Sequence, residues 1–185
     1  MAKIEVVQPH EAEGQLKEIY DNIISSRGKI AEVHKIQRLN PHSIINHMEL
    51  YQTIMFGQSP LKRVQREMLG VVVSKANNCE YCQIHHAEAV NHYWKDEERT
   101  NSLRANFKDA QLSGVDELMC SYAEELTKTP GTDTEQKYFE PLRNMGVSDR
   151  EILDATLVIS YFNFVNRIVL SLGVDVEENA GGYNY

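Results

Sequence analysis

Apolar residues recur every three or four positions along almost the whole chain, and the strict apolar/polar alternation of a β-strand is scarce. This spacing matches the 3.6 residues of a helical turn, so the pattern predicts an all-α protein with about five to eight helices. The breaks in the pattern fall at residues that end helices, namely Gly28, Asn40-Pro41, Asn77-Asn78, Pro130-Gly131 and Gly173.

Capping signals predict where several helices begin and end. The first helix is expected to begin near Pro9, and Ser59-Pro60 to open a helix that runs to about Ala76. Ser148 and Glu151 form a capping box, so the last long helix is expected to run from Ser148 to Leu172. The remaining helices are expected over residues 32–39, 41–56, 79–94, 95–104, 113–129 and 134–145.

The chain has 185 residues, which is enough for one compact domain with its own core. We expect a single helical domain over residues 1–173, followed by an acidic C-terminal tail over residues 174–185. This tail has no capping signal, so it is expected to be mobile or docked on a neighbouring subunit. The net charge of -8 argues against nucleic acid as a partner, because nucleic-acid affinity relies on clustered Lys and Arg.

The N-terminal segment lacks the charged head, apolar stretch and small-residue cleavage site of a signal peptide, and no apolar run approaches 18 residues. We therefore expect a cytoplasmic protein that does not bind a membrane. In a reducing compartment, a Cys-x-x-Cys pair is more often catalytic, redox-active or metal-binding than a permanent disulfide.

Cys79, Cys82 and His86 follow a helical spacing of three and four residues. On a helix that advances 100° per residue they fall within about 60° of one another, on the face that packs. This spacing fits three uses: a metal site, a structural disulfide or a redox-active dithiol.

Glu67 is the second unusual feature, because it interrupts the apolar stripe of Val64, Met68 and Val71 on the preceding helix. A carboxylate is rarely buried without a partner. If the two helices pack antiparallel with Asn77-Asn78 at the corner, the Glu67 carboxylate faces the Cys and His cluster. The site would then combine a base, a proton carrier and two thiols.

Such a site can activate a cysteine. A free thiol has a pKa of about 8.5 and is only about 3% thiolate at pH 7, and a helix N-terminus or a protonated histidine lowers that pKa. The helix N-terminus favours Cys79 as the more acidic thiol, whereas Cys82 lies one turn from His86. Glu67 can orient the imidazole. A thiolate with a second thiol nearby can reduce a peroxide and end as a disulfide.

The pattern E-x11-C-x-x-C-x-x-x-H, filled by Glu67, Cys79, Cys82 and His86, resembles the active-site signature of the alkylhydroperoxidase D-like proteins of the carboxymuconolactone decarboxylase superfamily. The segment YFNFVNRI, residues 161–168, is similar to a late segment of the peroxidase-related members. One departure is Tyr81, where the best-characterised peroxidase of this type has a histidine.

The resemblance implies an all-α, homo-oligomeric antioxidant enzyme that reduces hydroperoxides with electrons from an unknown thiol or dithiol donor. It assigns the attack on the peroxide to Cys82 and the resolving role to Cys79, with Glu67 and His86 as a proton relay. The Cys79/Cys82 dithiol would serve in place of a cofactor.

Two other functions remain open on the sequence. Cys79, Cys82 and His86 supply three zinc ligands, with Glu67 or His85 as a possible fourth, in a metal-binding or scaffold protein. A general thiol-disulfide oxidoreductase would use the same dithiol. Decarboxylation of a lactone, the reaction of the superfamily's namesake, is disfavoured because it does not depend on a Cys-x-x-Cys pair.

The other candidate residues are assigned structural roles or none. Cys120 lies among apolar residues and is expected to be a buried core thiol. His85 is expected to be solvated, and the aromatic cluster of Tyr51 to Phe56 to belong to the core or a subunit interface. No partner spacing assigns a role to the remaining central histidines, His34, His42, His47 and His92.

Overall fold

The computed structural model describes residues 2–177, and within them the chain forms nine α-helices and no β-strand. The predicted all-α class is confirmed. The helices are α1 (Gly14–Arg27), α2 (Glu32–Lys35), α3 (Pro41–Tyr51), α4 (Arg63–Ala76), α5 (Glu80–Trp94), α6 (Glu97–Ala105), α7 (Gly114–Lys128), α8 (Glu140–Asn144) and α9 (Asp149–Leu172). Short 3-10 turns cover Pro9–Glu11 and Phe107–Asp109, and π-helical turns cover Gln52–Phe56 and Glu135–Phe139.

Helix α4 lies at the centre of the molecule, where it packs against α5, α7 and α9. Its residues 66–74 are all buried, including three consecutive valines. Gly70 lets α9 come close, because a Cβ at this position would lie 2.6 Å from the Phe162 ring. The absence of a side chain at Gly70 thus brings α9 against the same helix that carries Glu67.

Several predicted helix ends are confirmed. The Ser148 amide donates to the Glu151 carboxylate at 2.8 Å and the Glu151 amide to the Ser148 hydroxyl at 3.3 Å, which completes the capping box. Ser113 caps α7 by accepting from the Asp116 amide at 3.2 Å. Gly173 ends α9 with a φ of 73°, a left-handed conformation that glycine adopts without strain.

Two predicted helix starts are wrong. Pro9 opens a separate 3-10 turn, and α1 begins only at Gly14. Ser59-Pro60 precedes α4 without capping it, since α4 begins only at Arg63. The Ser59 hydroxyl instead accepts from the Leu61 amide at 3.1 Å and donates to the largely buried carboxylate of Asp154 on α9 at 2.6 Å.

Helix α9 is long and apolar enough to cross a membrane by length and composition alone. It packs on α4 and α7 and buries Val158, Ile159 and Phe162, as the core helix of a bundle does. Its outer side exposes Leu153, Leu157 and Phe164, which lie within about 40° of one another around the helix. Self-association of the chain stays a prediction.

Candidate active site

The turn between α4 and α5 places the two cysteines. Asn78 adopts a left-handed conformation with a φ of 57°, and the Cys79 amide donates to the Ser74 carbonyl at 2.8 Å. Helix α5 then folds back along α4, as the Asn77-Asn78 corner predicts. Cys79 occupies the N-cap position of α5, and Cys82 lies in the first turn.

The Sγ atoms of Cys79 and Cys82 lie 3.1 Å apart, and both cysteines are free thiols. Their exposed fractions are 0% and 2%, so neither sulfur lies at the outer surface of the protein. Either thiol can donate in this contact. A disulfide between the two requires only a small movement of the sulfurs.

The two thiols differ in acidity. The hydrogen bond from the Cys82 thiol lowers the pKa of Cys79, and the nearby Cys82 amide adds to this effect against the cost of burial. The same hydrogen bond, with burial, raises the pKa of Cys82 well above its ordinary value. The hydrogen bond from Cys82 and the helix N-terminus therefore make Cys79 the more acidic of the two thiols.

Glu67 on α4 joins the cluster as predicted. Its carboxylate binds Nδ1 of His86 at 2.6 Å through one oxygen and accepts from Nε of Arg63 at 2.8 Å through the other. Burial raises the pKa of Glu67, but the contacts with His86 and Arg63 outweigh it and hold this pKa below its ordinary value. The carboxylate is therefore ionised and serves as an acceptor for the His86 imidazole.

The cluster opens onto a partly open cavity of about 70 Å³ between α2, α3, α5 and α9. Such a volume holds about five waters or a ligand of similar size. Cys82, His86 and Glu67 line it, whereas Cys79 does not. The rest of the wall consists of Arg27, Ala31, Val33, His34, His47, Tyr51, Tyr81, His85, Ala89, Tyr161, Phe162 and Val165.

A hydrogen-bonded chain in the cavity wall was missed by sequence reasoning. Gln37 contacts Nδ1 of His47 at 2.8 Å, and Nε2 of His47 contacts the Tyr161 hydroxyl at 2.8 Å. Burial lowers the pKa of His47 to about 4, so its imidazole is neutral at pH 7. His47 and Tyr161 are 114 residues apart, and only the resemblance of residues 161–168 pointed to this region.

The prediction that His85 is solvated is wrong. Its ring is buried, and Nε2 contacts the Glu177 carboxylate at 2.8 Å. The same carboxylate accepts from the Tyr81 hydroxyl at 3.1 Å and from the Glu32 amide at 3.0 Å. The first four tail residues, 174–177, thus dock on their own chain beside the cavity. The remainder of the predicted tail, 178–185, lies outside the described residues.

Three further expectations can be placed in the structure. Cys120 is fully buried in the core, as predicted. Tyr51 lines the cavity and packs edge-on against Phe56, over which the Arg63 guanidinium lies at 3.5 Å. Within residues 2–177, no group of three or more His, Cys, Asp or Glu side chains is arranged to hold a metal ion.

Solved structures share this helical arrangement. An uncharacterized peroxidase-related protein from Silicibacter sp. TM1040 is 26% identical, with a TM-score of 0.87 over 98% of this chain and 94% of that chain. The alkylhydroperoxidase AhpD core of an uncharacterized peroxidase-related protein from Ralstonia eutropha JMP134 is 20% identical, with a TM-score of 0.86 over 96% of this chain and 93% of that chain. The fold is therefore that of the alkylhydroperoxidase D-like helical proteins.

Residues 46–105 match the carboxymuconolactone decarboxylase family, and this range contains Glu67, Cys79, Cys82 and His86. Uncharacterized protein YdfG of Bacillus subtilis is 24% identical over 116 residues, which are 63% of this chain and 78% of that protein. The predicted resemblance is confirmed by this match and by the alkylhydroperoxidase D-like fold.

Proposed function

We propose that this protein is a thiol-dependent peroxidase that reduces hydroperoxides with the Cys79/Cys82 dithiol. The observation that carries the proposal is the geometry of one cavity. It is lined by Cys82, one of two free sulfurs that are 3.1 Å apart, and by the Glu67–His86 pair, in which Glu67 Oε2 and His86 Nδ1 are 2.6 Å apart. The site therefore combines a source of electrons, a proton relay and space for a small oxidant.

Access and acidity assign different tasks to the two sulfurs. Cys82 lines the cavity and Cys79 lies behind it, so the peroxide meets Cys82. Cys79 is the more acidic of the two thiols, and its contact with Cys82 lets a proton pass from Cys82 to a Cys79 thiolate and leave the thiolate on Cys82. Cys82 is then the attacking nucleophile, and Cys79 is the resolving thiol.

The reaction proceeds in two balanced steps. The Cys82 thiolate attacks the terminal peroxide oxygen, the O–O bond breaks, and His86 supplies a proton to the leaving alkoxide, which departs as an alcohol. The Cys79 sulfur then displaces hydroxide from the Cys82 sulfenic acid, and hydroxide leaves as water with the Cys79 proton. Two thiols and one hydroperoxide give a disulfide, an alcohol and water. An unidentified thiol or dithiol donor restores the two thiols.

Burial of the sulfurs favours a small oxidant over a protein disulfide. A disulfide exchange with another protein needs direct contact between sulfurs, and Cys79 and Cys82 are only 0% and 2% exposed. A hydroperoxide of a few atoms fits the cavity of about 70 Å³. We propose that the enzyme acts in the cytoplasm as a homo-oligomer, with the exposed apolar side of α9 as a contact surface.

The test is hydroperoxide consumption with a small dithiol as the reductant. We expect turnover by the wild type and by Cys120→Ser, the matched control at the buried cysteine outside the cavity. Cys82→Ser should abolish turnover, and Cys79→Ser should slow it, because the Cys82 sulfenic acid is then reduced only by the external dithiol. Unchanged turnover in Cys82→Ser would remove the mechanism. Near-stoichiometric zinc in protein purified without chelator would instead favour the metal-binding alternative.

A further inference from the structure

A fully buried pair of polar side chains lies where α4 packs against α9. Ser74 on α4 and Asn166 on α9 are both 0% exposed, and Nδ2 of Asn166 donates to the Ser74 hydroxyl oxygen at 3.2 Å. Oδ1 of Asn166 accepts from the side chain of Asn77, the residue that ends α4, at 3.0 Å. Apolar side chains of similar shape can replace a buried hydrogen-bonded pair with little loss of stability, so packing alone does not explain these residues.

The first turn of α5 lies on this pair. The Cys79 amide donates to the Ser74 carbonyl at 2.8 Å, which fixes the start of α5 to the residue that also carries the hydroxyl. The side chains of Asn166 and Ser74 both hydrogen-bond the sulfur of Cys82. Neither residue lines the cavity, whereas Cys82 does. The pair therefore contacts the sulfur without obstructing the side on which a peroxide would meet it.

The hydrogen-bond partners of Asn166 set the direction of these contacts. Its oxygen is engaged by Asn77, so its two N–H groups serve Ser74 and Cys82. The Ser74 oxygen accepts from Asn166, which leaves the hydroxyl hydrogen for the sulfur. Cys79 and burial raise the pKa of Cys82, and the hydrogen bonds from Asn166 and Ser74 are the contacts that lower it. Donors of this kind favour a thiolate over a thiol.

We propose that Asn166 and Ser74 stabilise the thiolate of Cys82 as it attacks the peroxide, and that Asn77 is a positioning residue that holds the Asn166 amide. This inference rests on the proposed peroxidase function and deepens it. When a proton passes from Cys82 to Cys79, the negative charge moves onto a sulfur whose burial disfavours it. Two hydrogen bonds offset part of that cost, because hydrogen bonds to an ion are stronger than those to a neutral group.

The test measures the ionisation of Cys82 without a peroxide. In the Cys79→Ser/Cys120→Ser protein Cys82 is the only cysteine, and its rate of alkylation by iodoacetamide at each pH reports its thiolate. Asn166→Leu is close to the original side chain in size and removes the amide donor. We expect alkylation to be about tenfold slower at pH 7, with a profile displaced to higher pH, so that the loss shrinks as the pH rises.

Two further variants make the test specific. Ser74→Ala removes the second donor and should slow alkylation about threefold at pH 7 with the same pH dependence, which also covers the case that Asn166→Leu does not fold. Asn163→Leu is the matched control, because Asn163 lies one turn earlier on α9 and hydrogen-bonds Asn77 at 3.1 Å instead of Cys82. Asn77 retains one of its two asparagine partners in either Asn variant. The Asn163→Leu profile should stay within about twofold of the parent profile.

The titratable groups around Cys82 are the same in the parent protein and in these variants. Those that share its cavity on α4, α5 and α9 are Glu67, Tyr81, His85, His86 and Tyr161. A displaced profile in a protein that a thermal scan shows to be folded is therefore assigned to the lost hydrogen bond.

Three results would overturn the inference. They are an unchanged profile in both Asn166→Leu and Ser74→Ala, a loss in these variants that is constant with pH, and an equal displacement in Asn163→Leu. Alkylation needs no peroxide, so the result is independent of the peroxidase function. A displaced profile in a protein whose wild type consumes no hydroperoxide would support the hydrogen bonds to Cys82 and count against the proposed function alone.

Discussion

His85 and His86 are neighbours in the sequence, and each binds a carboxylate, but the two pairs differ in origin and burial. Glu67 reaches His86 from the central helix α4, and its side chain is 1% exposed. Glu177 reaches His85 from the segment that follows α9, and its side chain is 22% exposed. We call Glu67–His86 the inner pair and Glu177–His85 the outer pair.

The differences in origin and burial indicate that the inner pair and the outer pair have different functions. The inner pair is fixed on both carboxylate oxygens, by Arg63 and by His86, and it shares the cavity with Cys82. The outer pair is part of a set of contacts that Glu177 makes with Tyr81 and the Glu32 amide. A buried ion held beside a thiol suits proton transfer, whereas a partly exposed carboxylate on the segment after α9 suits docking of that segment.

Removing the inner carboxylate should have the largest effect. Glu67→Gln keeps the shape of the side chain but can no longer hold the His86 proton, so we expect kcat/KM for hydroperoxide to fall by about 10²- to 10⁴-fold. The matched change in the outer pair, Glu177→Gln, should leave kcat/KM within about threefold. Similar losses in the two variants would abolish the distinction between the pairs. A thermal scan of each protein verifies that it is folded.

Removing the inner imidazole should give a loss that depends on pH. His86→Ala is expected to lower kcat/KM about 10²-fold at pH 7 and less at pH 9, where thiols ionise unaided. The pH profile of peroxide consumption by His86→Ala and wild type measures this difference. His85→Ala is the control, and it should show a flat ratio to the wild type. A loss in His86→Ala that is constant from pH 7 to pH 9 would mean that His86 acts only on structure.

His47 extends the comparison of the histidines, because its two ring nitrogens contact the uncharged side chains of Gln37 and Tyr161 and no carboxylate. Its pKa is about 4 in the folded protein against an ordinary 6.5, so between these pH values the unfolded chain binds a proton that the folded chain does not. Lowering the pH through this window should therefore reduce the free energy of unfolding, by up to about 3 kcal/mol from His47. Urea titrations at several pH values measure the slope. The slope should become shallower in His47→Gln, and an unchanged slope would contradict the assignment.

The outer pair should contribute a small amount of stability. Its hydrogen bonds with His85 and the Glu32 amide lower the pKa of Glu177 to about 2 against the opposing effect of burial. The stabilisation is thus complete above pH 4.5 and is lost as the pH falls towards 2.

We expect Glu177→Gln to lower the free energy of unfolding at pH 7 by about 1 kcal/mol, a modest value because the pair is partly solvated. Glu18→Gln, at an exposed position in the middle of α1, should change it by less than about 0.5 kcal/mol. If Glu177→Gln also changes the free energy of unfolding by less than about 0.5 kcal/mol, the tail segment is not held by this carboxylate.

The two pairs also show what the sequence could predict. Glu67 and His86 lie on consecutive helices, so a charged residue in an apolar stripe and a three-and-four spacing were sufficient to predict that they meet. Caps such as Ser113 and Ser148 were predictable for the same reason, since each acts within one helical turn.

Contacts between segments that are far apart in the sequence leave no comparable pattern in the sequence. Glu177 meets His85 across 92 residues, and Ser59 meets Asp154 across 95, so each depends on how the complete bundle packs. His34 and His47 follow the same rule, because their positions on the cavity wall depend on the approach of α9. The chemistry of one helix pair was therefore predictable, and the cavity that serves it was not.

The most direct test of the central claim is to count thiols after a single oxidation. Reduced protein is treated with one equivalent of hydroperoxide in the absence of a reductant, and the peptides are analysed by mass spectrometry. The account predicts a disulfide between Cys79 and Cys82 in most molecules, with Cys120 still a free thiol. Recovery of Cys79 and Cys82 as unmodified thiols, with the peroxide unconsumed, would contradict it.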